Sequence, residues 1–175
     1  MQSSDAERLI ALEKKVIEDG VLRVRIRVNF SESGKIRIPI ASVNQVGELF
    51  FLEITQSDKN AVKISFHHQE KQSNTPLLRI DFNSRHKNPA EIKPTLPQKF
   101  WPFAGIYLDQ YEGHIHYVVD GYDTLQWAIP LEEDPFPYKT VGEPPELAKL
   151  LTAIFALLNV KTEIQGETQT KLWLR

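Results

Sequence analysis

Hydrophobic and polar positions recur along this chain with two periods, and each change of period marks the end of an element. Leu9, Leu12 and Val16 keep helical spacing behind a Ser4-x-x-Glu7 capping box, which predicts a helix over about 4–18 with Gly20 in the left-handed position past its end. The segment VLRVRIRV alternates strictly, with Leu22, Val24, Ile26 and Val28 on one face and Arg23, Arg25 and Arg27 on the other: a half-buried strand. After a turn at Ser31–Gly34, KIRIPI returns with Ile36, Ile38 and Ile40 inward and Lys35 and Arg37 outward, and Pro39 predicts that this strand lies at an edge. Arg23, Arg25, Arg27, Lys35 and Arg37 would then share one ribbon face.

ELFFLEIT, AVKISFHH and LLRIDF follow at short spacing with turn signals at Asp58–Asn60 and Ser73–Pro76, the pattern of an antiparallel meander. Residues 83–101 interrupt it with Pro89, Pro94 and Pro97, which predicts a long loop. Beyond it, FAGIYLD and HIHYVV face each other across Gln110–Gly113 as a predicted hairpin, and LQWAIPL follows a turn at Gly121–Asp123. A proline-punctuated linker over about 132–145 leads to a helix opened by Pro145. Its stripe is Leu147, Leu151, Ile154, Phe155 and Leu158, and Asn159 stops it. The pattern as a whole predicts an α+β fold: a mostly antiparallel sheet of six to eight strands with an N-terminal and a C-terminal helix.

Composition narrows the picture. A length of 175 residues is that of one domain, and 41% hydrophobic with 25% charged residues excludes a chain disordered throughout. No run approaches the roughly 18 apolar residues of a membrane span, and the N-terminus carries acids where a secretory signal carries a basic flank, so a cytoplasmic protein without a membrane partner is expected. With no cysteine, disulfides, thiolate metal sites and cysteine nucleophiles are excluded. The net charge of −2 is unevenly spread. Residues 57–99 hold eight Lys/Arg against four Asp/Glu, whereas residues 100–147 hold one Lys against nine acids. Two solvated faces would suffice to explain this; the sharper alternatives are a basic face for an anionic ligand such as RNA and an acidic segment 100–147 that binds a protein partner.

Phosphate-loop, dinucleotide, HExxH and nucleophile-elbow motifs are all absent. The remaining chemistry lies in Arg79 and Asp81 of LLRIDF, His86 and Asn88 of RHKNP, and His114 and His116 of GHIHYV. Alternation places Arg79 with Asp81 on one strand face and His114 with His116 on another. The pairs could be a surface ion pair and structural histidines, an acid–base couple for metal-free phosphodiester cleavage, or ligands for a divalent metal with His86 or Asp81 as the third. No cofactor or bound metal is required by the first two. His67 and His68 point to opposite faces and are read as structural. The basic ribbon could track a phosphate backbone or simply discourage edge pairing.

AERLIALEKKVIEDG, LLRIDF with the following H-x-N-P at His86–Pro89, and GHIHYVVDGY with WAIPL together resemble the signature blocks of a family of small bacterial proteins of unknown function. The resemblance covers about a third of the chain. It implies that Arg79, Asp81, His86, Asn88, His114 and His116 belong to one recurring pattern, in which H-x-N-P runs almost directly into P-H-x-H-x-Y. Here Gly113 replaces that Pro and roughly twenty residues, Ile92 to Glu112, are inserted. Toxin or phage-defence roles are suspected of such proteins by association only. Three functional expectations follow: an RNA-acting enzyme of toxin or defence type using His/Arg/Asp chemistry, a non-catalytic immunity or assembly module, and a His/Asp metal-dependent hydrolase.

Overall fold

β-branched and aromatic residues at every second position make the middle of the chain one large sheet. The computed structural model describes residues 1–30 and 34–165. Helix α1 (Ser3–Ala11) precedes strands β1 (Lys14–Glu18), β2 (Val21–Arg23), β3 (Arg25–Ile26), β4 (Lys35–Ser42), β5 (Leu49–Gln56), β6 (Ile64–Glu70) and β7 (Pro76–Phe82). Then come β8 (His86–Lys87), a 3-10 turn at Gln98–Phe103, β9 (Tyr107–Leu108), β10 (His114–Tyr117), β11 (Trp127–Pro130), helix α2 (Leu147–Leu157) and β12 (Glu163–Ile164). An eight-stranded sheet runs in the order β11-β10-β7-β6-β5-β4-β1-β2, antiparallel throughout, and the pairs β12–β3 and β8–β9 stand apart from it. This is the α+β class that the pattern predicts.

The sheet has an apolar and a polar face. Ile38, Ile40, Leu52, Ile54, Phe66, Ile80, Ile115, Trp127 and Ile129 are buried in one core with Leu9 of α1 and Leu147, Leu151, Ile154, Phe155 and Leu158 of the α2 region. The segment 83–112 wraps one end of the sheet. β8 pairs with β9, and Phe100 inserts between Trp127 and Tyr117 with ring centroids 5.8 and 5.9 Å away.

Several expectations are corrected. The first helix ends at Ala11, and its N-cap is Gln2 with no side-chain cap bond, so the Ser4–Glu7 box is not used. Residues 14–18 form β1, because Asp19 and Gly20, both at positive φ (51° and 75°), turn the chain back so that Glu18 pairs with Val21. VLRVRIRV is not one strand. β2 pairs with β1, β3 pairs in parallel with β12, and Leu22 and Val24 are exposed. β4 is interior, and Pro39 is accommodated because pairing with β1 stops at Ile40. The predicted hairpin across Gln110–Gly113 is not formed: Tyr107–Leu108 pairs with His86–Lys87, whereas β10 lies between β7 and β11. The expected loop 83–101 contains β8 and the start of the 3-10 turn. Pro145 precedes the N-cap Glu146 of α2 rather than opening the helix. Most of the Ser31–Gly34 turn lies outside the described residues.

Candidate functional site

Register brings the candidates together. β10 lies against β7 with His114 opposite Asp81 and His116 opposite Arg79. Directly opposed residues share a face with Cβ atoms about 5 Å apart, so two separate alternations become one four-residue patch. β6 extends it, with Ser65 opposite Asp81 and His67 opposite Arg79.

Asp81 is the centre of the patch. Its Oδ2 lies 2.9 Å from Arg79 Nε, 3.2 Å from His116 Nε2 and 3.7 Å from His114 Nε2. Arg79 Nη2 also reaches His116 Nε2 at 2.8 Å. From outside the sheet, β8 brings His86, whose ring centroid is 4.5 Å from that of His116 and 5.8 Å from that of His114. His114 and His116 are fully buried and Asp81 nearly so, while Arg79 and His86 keep partial access to solvent.

Neighbouring acceptors decide which ring nitrogen carries the proton. His116 Nδ1 faces the Leu125 carbonyl at 2.9 Å and His114 Nδ1 faces the Glu112 carbonyl at 3.4 Å, so in both rings Nδ1–H donates to backbone and Nε2 is turned toward Asp81. His86 is the reverse: Nε2 faces the Gln126 carbonyl at 3.0 Å and Asn88 Oδ1 at 3.1 Å, which leaves Nδ1 as its basic nitrogen. His114 Nε2 is buried without a hydrogen-bond partner.

Charge follows burial and neighbours. Burial alone would raise the Asp81 carboxyl, but the His116 ring and the Arg79 guanidinium beside it hold it well below the usual carboxylate range. Burial, reinforced by the neighbouring His116, lowers His114 to about 4. His86 and His67 are also lowered, chiefly by burial.

Asn88 sits beneath the cluster. Its Oδ1 accepts from the Ala128 N–H at 2.9 Å, and its Nδ2 donates to the Ala128 and Phe103 carbonyls at 2.8 and 3.1 Å. All its donors are spent on backbone, so it positions His86 and the edge of β11. Sequence reasoning missed His67 and Ser65, although alternation from Asp81 through the meander register would have placed both on this face. The Leu125 and Gln126 carbonyls that orient two rings have no sequence signal, because every residue carries one.

The five basic residues do not form one ribbon. Arg23 pairs with Glu18 at 3.1 Å, Arg25 with Glu163 at 2.9 Å, and Lys35 and Arg37 both with Glu53 at 3.0 and 2.8 Å; Arg27 lines a shallow groove with Val28 and Ile36. Arg37 nonetheless lies in the same cross-strand row as the site, Arg37–Glu53–His67–Arg79–His116. In segment 100–147, Asp120 holds the Ser3 amide at 2.5 Å and Asp134 accepts from the Tyr117 hydroxyl. The other seven acids are exposed, as are Trp101, Tyr107 and Tyr111. Among the described residues no helix is long and apolar enough to cross a membrane.

A model described as a family of unknown function (DUF6978) matches residues 1–160. No curated protein and no solved structure matches the chain.

Proposed function

The chain belongs to this family of unknown function, and from that premise we propose that it is an enzyme acting on an anionic phosphodiester, with RNA as the substrate to test first. The observation that supports this reading is the convergence of Arg79, Asp81, His86, His114 and His116, from three separate segments, at hydrogen-bond and ring-contact distances. A fold needs no such concentration of cations and imidazoles around one carboxylate.

In this reading Arg79, held by Asp81 and half exposed, takes the phosphate charge. His86 Nδ1 accepts the 2′-hydroxyl proton as that oxygen bonds to phosphorus, the bond to the 5′ oxygen breaks, and solvent water protonates the departing oxygen. The row from Arg79 to Arg37 offers a path for the flanking backbone. A toxin- or defence-type ribonuclease is the cellular form of this reading.

The test incubates the full chain with labelled total RNA and with a model phosphodiester. Cleavage that falls by roughly 100-fold or more in Arg79→Ala and in His86→Ala supports the reading; intact substrates with the folded wild-type chain overturn it. The exposed Trp101, Tyr107 and Tyr111 beside exposed acids favour a second reading, a protein-binding module using segment 100–147. That reading requires a partner retained by His86→Ala and lost on Trp101→Ala.

A further inference from the structure

We propose that Asp81, His114 and His116 form a binding site for one divalent transition-metal ion of the zinc class. The proposal rests on the enzyme reading of the same cluster and deepens it by naming the cofactor.

The three residues each offer one ligand atom, and these atoms lie within 4.8 Å of one another. The separations of 3.2 and 3.7 Å between Asp81 Oδ2 and the two Nε2 atoms bracket the roughly 3.3 Å edge of a tetrahedron whose metal–ligand bonds are about 2.0 Å. Imidazoles that ligate a metal present a lone pair inward and donate the other N–H to a carbonyl, which fixes tautomer and ring orientation. Both rings here turn Nε2 toward Asp81 and set Nδ1 against a carbonyl, His116 that of Leu125 and His114 that of Glu112.

An independent observation points to a ligand. His114 Nε2 is fully buried, has no hydrogen-bond partner, and faces Asp81 Oδ2 from a distance too long for a hydrogen bond. An orphaned lone pair in that position costs free energy unless something with positive charge meets it. Arg79 serves Asp81 and His116 but not His114.

Two imidazoles and one carboxylate select an ion such as Zn²⁺, Co²⁺ or Fe²⁺ over Mg²⁺ or Ca²⁺, which take oxygen ligands. Three protein ligands leave a position open for water or a phosphate oxygen. Arg79, long and half exposed, can release Asp81 when the ion enters and turn to the substrate. The site would thus supply a Lewis acid beside an anion-binding guanidinium.

The experiment strips the full chain with a chelator and titrates it with Zn²⁺ by calorimetry and with Co²⁺ by visible absorption. The expected result is one ion per chain, a rise in thermal midpoint with Zn²⁺, and binding weakened by roughly 100-fold or more in His114→Gln and Asp81→Asn. A proton–nitrogen spectrum of the imidazoles of the wild-type chain should show Zn²⁺ shifting the two ligating rings among the five histidines, which keeps the test valid where a variant fails to fold. No stoichiometric uptake, or equal uptake by the folded variants, overturns the site. RNA cleavage that persists in chelator with no ion bound removes the metal and leaves the enzyme. Stoichiometric, His114-dependent binding with no phosphodiester cleaved keeps the site and removes the proposed reaction.

Discussion

Asn88 shows how one side chain can stand in for a strand. β11 is the last strand of the sheet, and the amide of Asn88 satisfies both backbone groups of Ala128 on its outer edge while also receiving the His86 ring. Removing it leaves a buried N–H and a buried carbonyl without partners, each costing about 1–3 kcal/mol. Asn88→Ala should therefore lose about 3–5 kcal/mol in urea unfolding. Asn88→Asp should fare no better, because a carboxylate would face the Ala128 and Phe103 carbonyls. A loss below about 1 kcal/mol for Asn88→Ala would show that water replaces the amide and that His86 is positioned otherwise. At this scale the sequence was informative about membership of the cluster, since alternation alone placed Arg79 with Asp81 and His114 with His116. It was silent about the roles. Nothing in RHKNP distinguishes a bracing Asn88 from a reacting one, and the tautomers of the rings depend on carbonyls contributed by residues 112, 125 and 126.

Among elements, those whose partners are near in sequence were legible and those set by distant pairing were not. The meander β5–β7 and the apolar stripe of α2 follow from local periodicity. The helical spacing of Leu12 and Val16 predicts a first helix longer than the one that forms, yet Asp19-Gly20 before an alternating run is a two-residue hairpin signal that favours a strand on both sides. Lys14 then terminates α1 from outside, its buried ammonium donating to the carbonyls of Leu9, Ile10 and Leu12 at 2.9, 2.7 and 2.7 Å. Local pattern pairs β10 with the segment before it across Gln110–Gly113, whereas one of its two partners, β7, lies across the whole inserted segment and the other, β11, follows it. What fixes its start is space: a Cβ at Gly113 would come within 2.6 Å of both the Lys139 carbonyl and Leu131 Cδ1. Gly113→Ala should then cost about 1–3 kcal/mol and displace His114, read as a loss of Zn²⁺ uptake larger than the loss of stability explains. Gly113→Pro should behave alike, since its ring begins with the same Cβ. Wild-type stability in Gly113→Ala would mean that the 139 region yields freely.

Over the whole molecule, the two faces of the sheet divide the labour, and the apolar face carries a pH dependence separate from the site. His68 is buried there against Phe50, with ring centroids 5.3 Å apart, its Nδ1–H donating to the Phe51 carbonyl. Burial, with the charge of Lys14 nearby, lowers its pKa from the ordinary 6.5 to about 3. Unfolded chain therefore binds a proton as pH falls below 6.5 while the folded chain does not until about 3, so stability is present above 6.5 and drains away between those values. Lys14 acts in the same direction at higher pH. Burial lowers it from 10.5 to about 7, so the unfolded chain holds the extra proton between those values and stability rises as pH climbs from about 7 towards 10.5. Urea midpoints measured across pH should thus show two rising limbs. The site imidazoles add to the acid limb, so the informative quantity is the difference between wild type and His68→Phe, which should approach one proton between pH 6 and pH 3. Lys14→Met should flatten the alkaline limb and leave the acid one. A His68→Phe curve parallel to wild type would mean that the buried ring charges freely, and that the core beneath β6 admits water.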